Sequence, residues 1–406
     1  MDFLRKWRWH AAYSVFYFAI TTFLLFTTFE LYPALLNVVN LQTIRYYALK
    51  TNYIPDSTLV IAPRRTNYRF ATESKGDLYR HEYGVSVPDI RYQSSYTEMG
   101  FRANSSSPPY QVLVLGDSFV ELGDDSSTLS ERLRKESSFT TFNLGRAWYG
   151  PHQYLELFKR YGVTLKPKYA VFCFFSGNDI HDIKEYERWR RQGTYYFYTG
   201  ELSRGFFTRY LIALSDTGSY VLKRIAGLRR NSHARSGKMT TAQESRIHPG
   251  LAVIRIGKTD TKMKVTGWDD EGTAEQLLTR REWQTLRYIL AAYLRLCRDN
   301  GIRPILLYIP SKIEVYADYA TAESGQTFKS QLRRFYPYRS NASEAIAIIA
   351  KGLGLPFANL LPYFKRLTEQ GELLYYPFDS HWNTEGINAG ARFLAAYLKS
   401  PPSLLP

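Results

Sequence analysis

The chain has 406 residues, 45% of them apolar and 16% aromatic, with a formal net charge of +16. That is enough apolar chain for one large domain with insertions, or two ordinary domains, around a substantial core. The positive balance points to acidic polysaccharide, anionic lipid headgroups or nucleic acid, and the last is set aside because neither zinc-finger spacing nor an RNA-binding aromatic signature is present.

Residues 11–29 carry no charge and are mostly apolar or aromatic, about one bilayer span at a helical rise of roughly 1.5 Å per residue. Arg5, Lys6 and Arg8 precede them, and Trp7, Trp9 and Tyr32 flank them as interfacial residues do. No small-x-small cleavage site follows, so residues 1–32 are expected to form an uncleaved single-pass anchor. The charge bias puts the N-terminus in the cytoplasm and the bulk of the chain outside it, periplasmic or at the cell surface. Arg45 and Lys50 run against that bias, and a buried helix of a soluble protein is the alternative. Residues 33–94 are expected to form a membrane-proximal linker, then a tyrosine-rich, irregular segment lying on the domain.

The domain proper is expected over residues 95–400. Val112-Leu113-Val114-Leu115 is a short continuous apolar run, as in a buried parallel strand, and it breaks at Gly116-Asp117-Ser118 ahead of a helix around Leu129 to Leu133. Residues 139–145 form a second strand, and a helix carries Tyr154, Leu157, Phe158 and Tyr161. Residues 169–175 form a third strand, ending in Ser176-Gly177-Asn178-Asp179. A long insertion follows at about 180–281, with an amphipathic stretch at 206–228 and a basic run at 229–238 that reads as a solvated loop or an anion-binding lid. Trp283, Leu286, Ile289, Leu290, Tyr293 and Cys297 then mark one face of a helix, stopped by Asn300-Gly301. Residues 303–309 and 355–360 give a fourth and a fifth strand, with a helix around 343–351 between them and a final helix from about Asn383 to Leu398. Strands alternating with helices predict an α/β fold with a parallel sheet covered on both faces. Cys173 and Cys297 read as small core residues, not as a disulfide or a metal site. Neither a metal nor a cofactor is expected.

Chemistry on such a sheet belongs at the carboxyl ends of the strands. Ser118 stands there, on a strand-to-helix turn where its hydroxyl projects and backbone N–H groups are at hand. The other reading of Asp117-Ser118 is a helix cap. Asn178 ends another strand, and Asp379-Ser380-His381-Trp382-Asn383 stands just before the last helix. A serine needs an adjacent base to act as a nucleophile. His381 can be that base, with Asp379 orienting it, and Asn178 can donate to an oxyanion beside the N–H of Ser118. Alternatively, Asp379 caps the helix and His381 is a surface residue. His152 and His181 are candidate substrate contacts near strand ends. Arg146 is either an anion contact or a solvated arginine.

Gly116-Asp117-Ser118, Asn143-Leu144-Gly145, Gly177-Asn178-Asp179 and Asp379-x-His381, in that order, resemble the SGNH (GDSL-type) esterase and acyltransferase superfamily. The Asp-x-His-Trp form is similar to the branch of membrane-associated polysaccharide O-acetyltransferases. The resemblance implies a flavodoxin-like three-layer α/β/α sandwich with Ser118 as nucleophile, His381 as base and Asp379 as its partner. It further implies an oxyanion hole from Ser118, Asn178 and a backbone N–H near Gly145. Three departures stand out. Ser176 occupies the place where the asparagine block usually opens with glycine. The usual oxyanion glycine, about five residues after Asn143, falls on Trp148, between Gly145 and Gly150. Asp379 and His381 are two apart where many secreted esterases have three.

The expected function is a membrane-anchored, extracytoplasmic serine enzyme that removes or transfers an acyl group, acetyl first, on a carbohydrate or cell-surface polymer. A membrane protein supplying the acyl donor is its expected partner. The rivals are a lipid or small-ester hydrolase with the same residues, and a catalytically silent carbohydrate-binding or scaffold subunit of a surface-polysaccharide complex. Trp189, Tyr195, Tyr196 and Tyr198 in the insertion either stack on sugar rings or pack the insertion onto the core.

Overall fold

The structure is a computed structural model that describes residues 13–24, 55–56, 58–61, 67, 69–192, 247–266 and 271–399. The chain divides into two compact units, one of residues 1–54 and 196–238, the other of residues 55–195 and 239–406. In the first, the described residues form an α-helix over 13–24, mostly exposed. Among the described residues no helix is long and apolar enough to cross a membrane. The remainder of the expected anchor at 11–29, the stretches at 206–238, and Tyr195, Tyr196 and Tyr198 lie outside the described residues.

The second unit is built on a five-stranded parallel sheet: β1 (Val112–Gly116), β2 (Thr141–Gly145), β3 (Tyr169–Phe175), β4 (Arg303–Ile309) and β5 (Phe357–Asn359), in the order β5-β4-β3-β1-β2. Each is one of the apolar runs read from the sequence. β1, β2 and β3 are buried at every position, because helices cover both faces of the sheet. The alternation along β3 shows the two layers. Phe172 and Phe174 meet rings of the long helix on one face, Tyr293 at 5.3 Å and Trp283 at 6.5 Å. Phe175 points the other way and stacks on Phe119 at 3.8 Å. β1 pairs with β2 on one side and with β3 on the other, so the winding reverses between β1 and β3. This is the flavodoxin-like strand order, and its crevice for ligands lies at that reversal.

The helices that position the site are α1 (Ser118–Glu121), α2 (Leu129–Ser137), α3 (Pro151–Leu157), α4 (Asp179–Gln192), α5 (Arg281–Asp299), α6 (Lys312–Tyr316) and α7 (Thr384–Lys399). The whole predicted face of α5 is buried, from Trp283 to Cys297, each large apolar side chain contributing about 1.5–3 kcal/mol. The helix stops where Gly301 takes a φ of +67°. Cys173 and Cys297 are both buried thiols.

Two regions differ from the sequence reading. Where the linker and irregular segment are expected at 33–94, strands Arg69–Ser74 and Ile90–Ser95 pair as an antiparallel hairpin. Its ends are tied down by Arg102, whose buried guanidinium bonds Ser94 Oγ at 2.8 Å and Asp125 at 2.9 Å. The period-2 signal was masked by polar side chains on a half-exposed ribbon. The insertion at 180–281 opens as the regular helix α4 and closes with a second hairpin, Ala252–Ile256 with Thr259–Met263.

Candidate active site

Ser118 opens α1 immediately after β1. Asp117 accepts the N–H of Phe119 at 2.9 Å and caps the helix. The capping role expected as an alternative therefore belongs to Asp117, and the Ser118 hydroxyl is left to face the cavity. Among the described residues the Ser118 N–H meets no acceptor. The Ser118 hydroxyl lies 2.8 Å from His381 Nε2. His381 Nδ1 lies 2.6 Å from Asp379 Oδ1, and the same oxygen accepts the His381 backbone N–H at 3.0 Å. That contact assigns the Nδ1–H tautomer, which leaves Nε2 to accept from Ser118. The three residues, spread over 263 positions, thus form one hydrogen-bonded chain.

The electrostatics follow from burial. Burial raises the Asp379 carboxyl, but the hydrogen bonds and charge of His381 outweigh it and hold the group down at about 2. Burial lowers His381, and Asp379 more than reverses it, so the imidazole sits above its ordinary value. The pair is poised for the imidazole to accept a proton from Ser118.

A cavity of about 660 Å³ opens at these residues, lined by Ser118, His381, Asn178, Trp148, Tyr92 and Lys264 among others. Asn178 donates one side-chain N–H to Asp182 Oδ2 at 2.9 Å, and its amide also faces the Asp117 carboxyl at the edge of the cavity. Gly145, expected as an oxyanion donor, is not one. Its N–H is given to Asn143 Oδ1 at 2.8 Å inside the fold. Glycine is required there for another reason: a Cβ would come within 2.7 Å of the Glu121 backbone nitrogen, so Gly145 lets β2 approach α1. Trp148, at the position where the superfamily has its glycine, takes a φ of +74° and remains 46% exposed at the cavity.

The departure at Ser176 also has a structural cause. The Ser176 hydroxyl donates to the buried Glu314 carboxylate and accepts the Ser311 N–H at 2.8 Å, which ties the end of β3 to the turn after β4. Glu314 is the end of a capping box, Ser311-x-x-Glu314, a signal that was legible in the sequence. Arg146 is neither an anion contact nor a solvated residue. It is fully buried beside Glu121, 3.6 Å away, and Glu121 also accepts the Ala147 N–H at 2.6 Å, which anchors the loop that carries Trp148. His152 stacks on Tyr186 at 4.4 Å, and burial lowers its imidazole to about 4. His181 is exposed and 3.8 Å from Glu185. Neither histidine lines the cavity. Trp189 packs against Tyr186 at 5.4 Å.

Three groups at the site escaped the sequence reading. Asp77 and Tyr92 come from the hairpin segment, where nothing in the local pattern marks them. Lys312, buried in α6, donates to the carbonyls of Lys264 and Pro377, each at 3.2 Å, and burial pushes its ammonium down to about 7. Among the described residues one set of potential metal donors converges, Asp77, Asp379 and His381, within 4.8 Å of one another. Their atoms are already bonded to one another, to Ser118 and to Ser380.

Residues 269–405 match a family model described as an SGNH hydrolase-like domain of the acetyltransferase AlgX. The matched stretch contains Asp379 and His381 and begins after Ser118 and Asn178. Among solved structures, a lipolytic protein of the G-D-S-L family from Desulfitobacterium hafniense is 11% identical, covering 70% of this chain and 98% of its own, with a TM-score of 0.34. An acetyl xylan esterase is 11% identical over 71% and 98%, with a TM-score of 0.35. A GDSL-like lipase from Parabacteroides merdae is 11% identical over 72% and 98%, with a TM-score of 0.37. No curated protein matches the chain.

Proposed function

We propose that the chain, whose residues 269–405 match an SGNH hydrolase-like domain of the acetyltransferase AlgX, is a serine acyl esterase or acyltransferase of that superfamily. Its substrate is an ester-linked acyl group, acetyl first, on a carbohydrate or cell-surface polymer. The observation that carries this reading is the chain of contacts from Ser118 to His381 to Asp379, at 2.8 and 2.6 Å, opening on a cavity beside Asn178.

In the proposed reaction Ser118 Oγ attacks the acyl carbonyl carbon while His381 Nε2 takes the hydroxyl proton. The carbonyl π electrons move to oxygen, and the resulting oxyanion is met by the Ser118 N–H and the Asn178 amide. Collapse expels the donor's alkoxide, which leaves with the proton from His381. Water or a sugar hydroxyl then attacks the acyl-serine, gives its proton to His381, and Ser118 recovers it as the acyl group departs.

Transfer requires an acceptor hydroxyl held in preference to water, and good orientation supplies effective concentrations of roughly 10⁵ M or more. Trp148 is the residue best suited to that task. A bulky side chain in the left-handed region costs roughly 1–3 kcal/mol, and such strain collects at functional sites. Its half-exposed indole offers a flat apolar face to the C–H face of a sugar ring at the cavity. The reading includes an anchor at residues 11–29 with Arg5, Lys6 and Arg8 in the cytoplasm and the catalytic unit outside, and an acyl-donor protein in the same membrane.

Intact-mass measurement after exposure to p-nitrophenyl acetate tests the chemistry. One added acetyl group on the wild type, and none on Ser118→Ala, is expected. An unmodified wild type that also releases no nitrophenol favours the catalytically silent reading.

A further inference from the structure

We propose that Asp77 is a positioning residue of this site: a second carboxylate, supplied by the hairpin segment, that holds the Asp379-Ser380-His381 turn in line with Ser118. The inference rests on the catalytic reading above and extends the site to a part of the chain outside the stretch matched to the acetyltransferase model.

The contacts reach Phe378, Asp379 and Ser380 in succession. The Asp77 backbone N–H donates to Asp379 Oδ2 at 3.0 Å, while the other oxygen of Asp379 serves His381. Asp77 Oδ1 accepts the Ser380 N–H at 2.7 Å, and Oδ2 accepts the Ser380 hydroxyl at 2.6 Å. One residue further on, Leu78 N–H donates to Phe378 O at 3.0 Å. The approach depends on Gly76, which takes a φ of +101° and at which a Cβ would lie 2.1 Å from the Phe378 carbonyl oxygen.

The geometry explains what the short Asp-x-His spacing needs. Asp379 bonds both the backbone N–H and the ring of His381, and this closes a tight turn with Ser380 at its apex. The N–H of that apex residue needs an acceptor outside the turn, and its hydroxyl, 3.4 Å from His381 Nδ1, makes its shorter bond outside the turn as well. Asp77 takes both of them and in return fixes the second oxygen of Asp379. It also sets a negative charge near His381, where a positive charge forms when Ser118 gives up its proton. The other charged groups that act on the imidazole are Asp379 on its own turn and Asp117 behind Ser118; the buried Lys312 acts on the Asp379 and Asp77 carboxylates, and Lys264 lines the same cavity. Asp77 is exposed, so solvent screens its charge and its hydrogen bonds carry more of the effect.

The experiment compares full-length wild type, Asp77→Asn and Asp77→Ala. It measures hydrolysis of p-nitrophenyl acetate against pH, thermal melting, and the titration of the His381 imidazole by NMR, assigned with His381→Gln. Asp77→Ala is expected to lower kcat about 10- to 100-fold with KM little changed, since misplacement by about 1 Å costs up to 10². Asp77→Asn keeps an acceptor for Ser380 and should recover most of kcat. In both variants the His381 titration and the acid limb of activity should move to lower pH. An Asp77→Ala protein with kcat within about twofold of wild type and an unmoved His381 titration overturns the inference. So does a loss of kcat matched by a loss of folded protein, with the titration unmoved. A wild type that is neither acylated nor releases nitrophenol sinks the catalytic reading, and the NMR titration still decides whether Asp77 acts on His381.

Discussion

The two halves of the site are built differently. Ser118 and Asn178 stand at the carboxyl ends of neighbouring parallel strands, and fully buried local groups fix them there. Asp117 caps α1, Asn143 bridges Val120 O at 2.9 Å and Ser130 at 3.1 Å, and Glu121 holds the following loop. The Asp379–His381 turn lies on no strand. Its bracing comes from Asp77, 302 residues away, and from Lys312 beneath Pro377. The first half is a by-product of making the sheet, because the strands cannot pair without bringing their ends together. The second is a loop whose position is set by a few hydrogen bonds near solvent. Substitutions in the turn should therefore act on rate with the fold intact, and substitutions in the buried parts of the sheet half should act through the fold.

The sharpest break in that comparison is Asp379→Asn. It keeps the shape of the turn but removes the charge and the preference for the Nδ1–H tautomer, and about a 10⁴-fold loss of kcat is expected. Steady-state hydrolysis and circular dichroism check it together. Loss of the far-UV signal along with activity would put this residue with the sheet half.

Two substitutions separate chemistry from architecture within the sheet half. Asn178→Ala removes an oxyanion donor, and kcat should fall about 10²- to 10³-fold with KM nearly unchanged. Gly145→Ala should behave in the opposite way, costing about 1–3 kcal/mol by overpacking β2 against α1 while the folded fraction retains its kcat. Urea unfolding with activity measured on the same samples distinguishes them. A Gly145→Ala protein of unchanged stability would show that the close approach at Val120 and Glu121 is not needed.

The smallest effects come from pH. His381 must be neutral to act, and its pKa is raised in the fold, so activity should rise with pH through a point above about 6.5. Asp379 is depressed to about 2. Its contribution to stability, about 2 kcal/mol from the size of that shift, is present above about 3.9 and is lost as pH falls towards 2. Acid titration of the melting temperature should show that loss in wild type and not in Asp379→Asn.

The sequence by itself determined the sheet and the chemistry-bearing positions on it. Five short apolar runs separated by helical periodicities leave no other way to bury Val112 to Leu115 or Tyr169 to Phe175 on both faces. Ser118, Asn178 and His381 could be named because they sit at the punctuation of that pattern, where a strand or a helix begins or ends. Tertiary structure decided which N–H groups are free and which segments meet. Gly145 looked like an oxyanion donor until its N–H was seen to serve Asn143. Arg146 looked like a surface charge until its loop was folded over Glu121. Asp77 carried no signal at all, since an aspartate after a glycine in a polar segment reads as a turn and nothing more. Periodicity reports what a residue's neighbours along the chain require of it. Hydrogen bonds across 302 positions depend on how the hairpin docks, which no local pattern encodes.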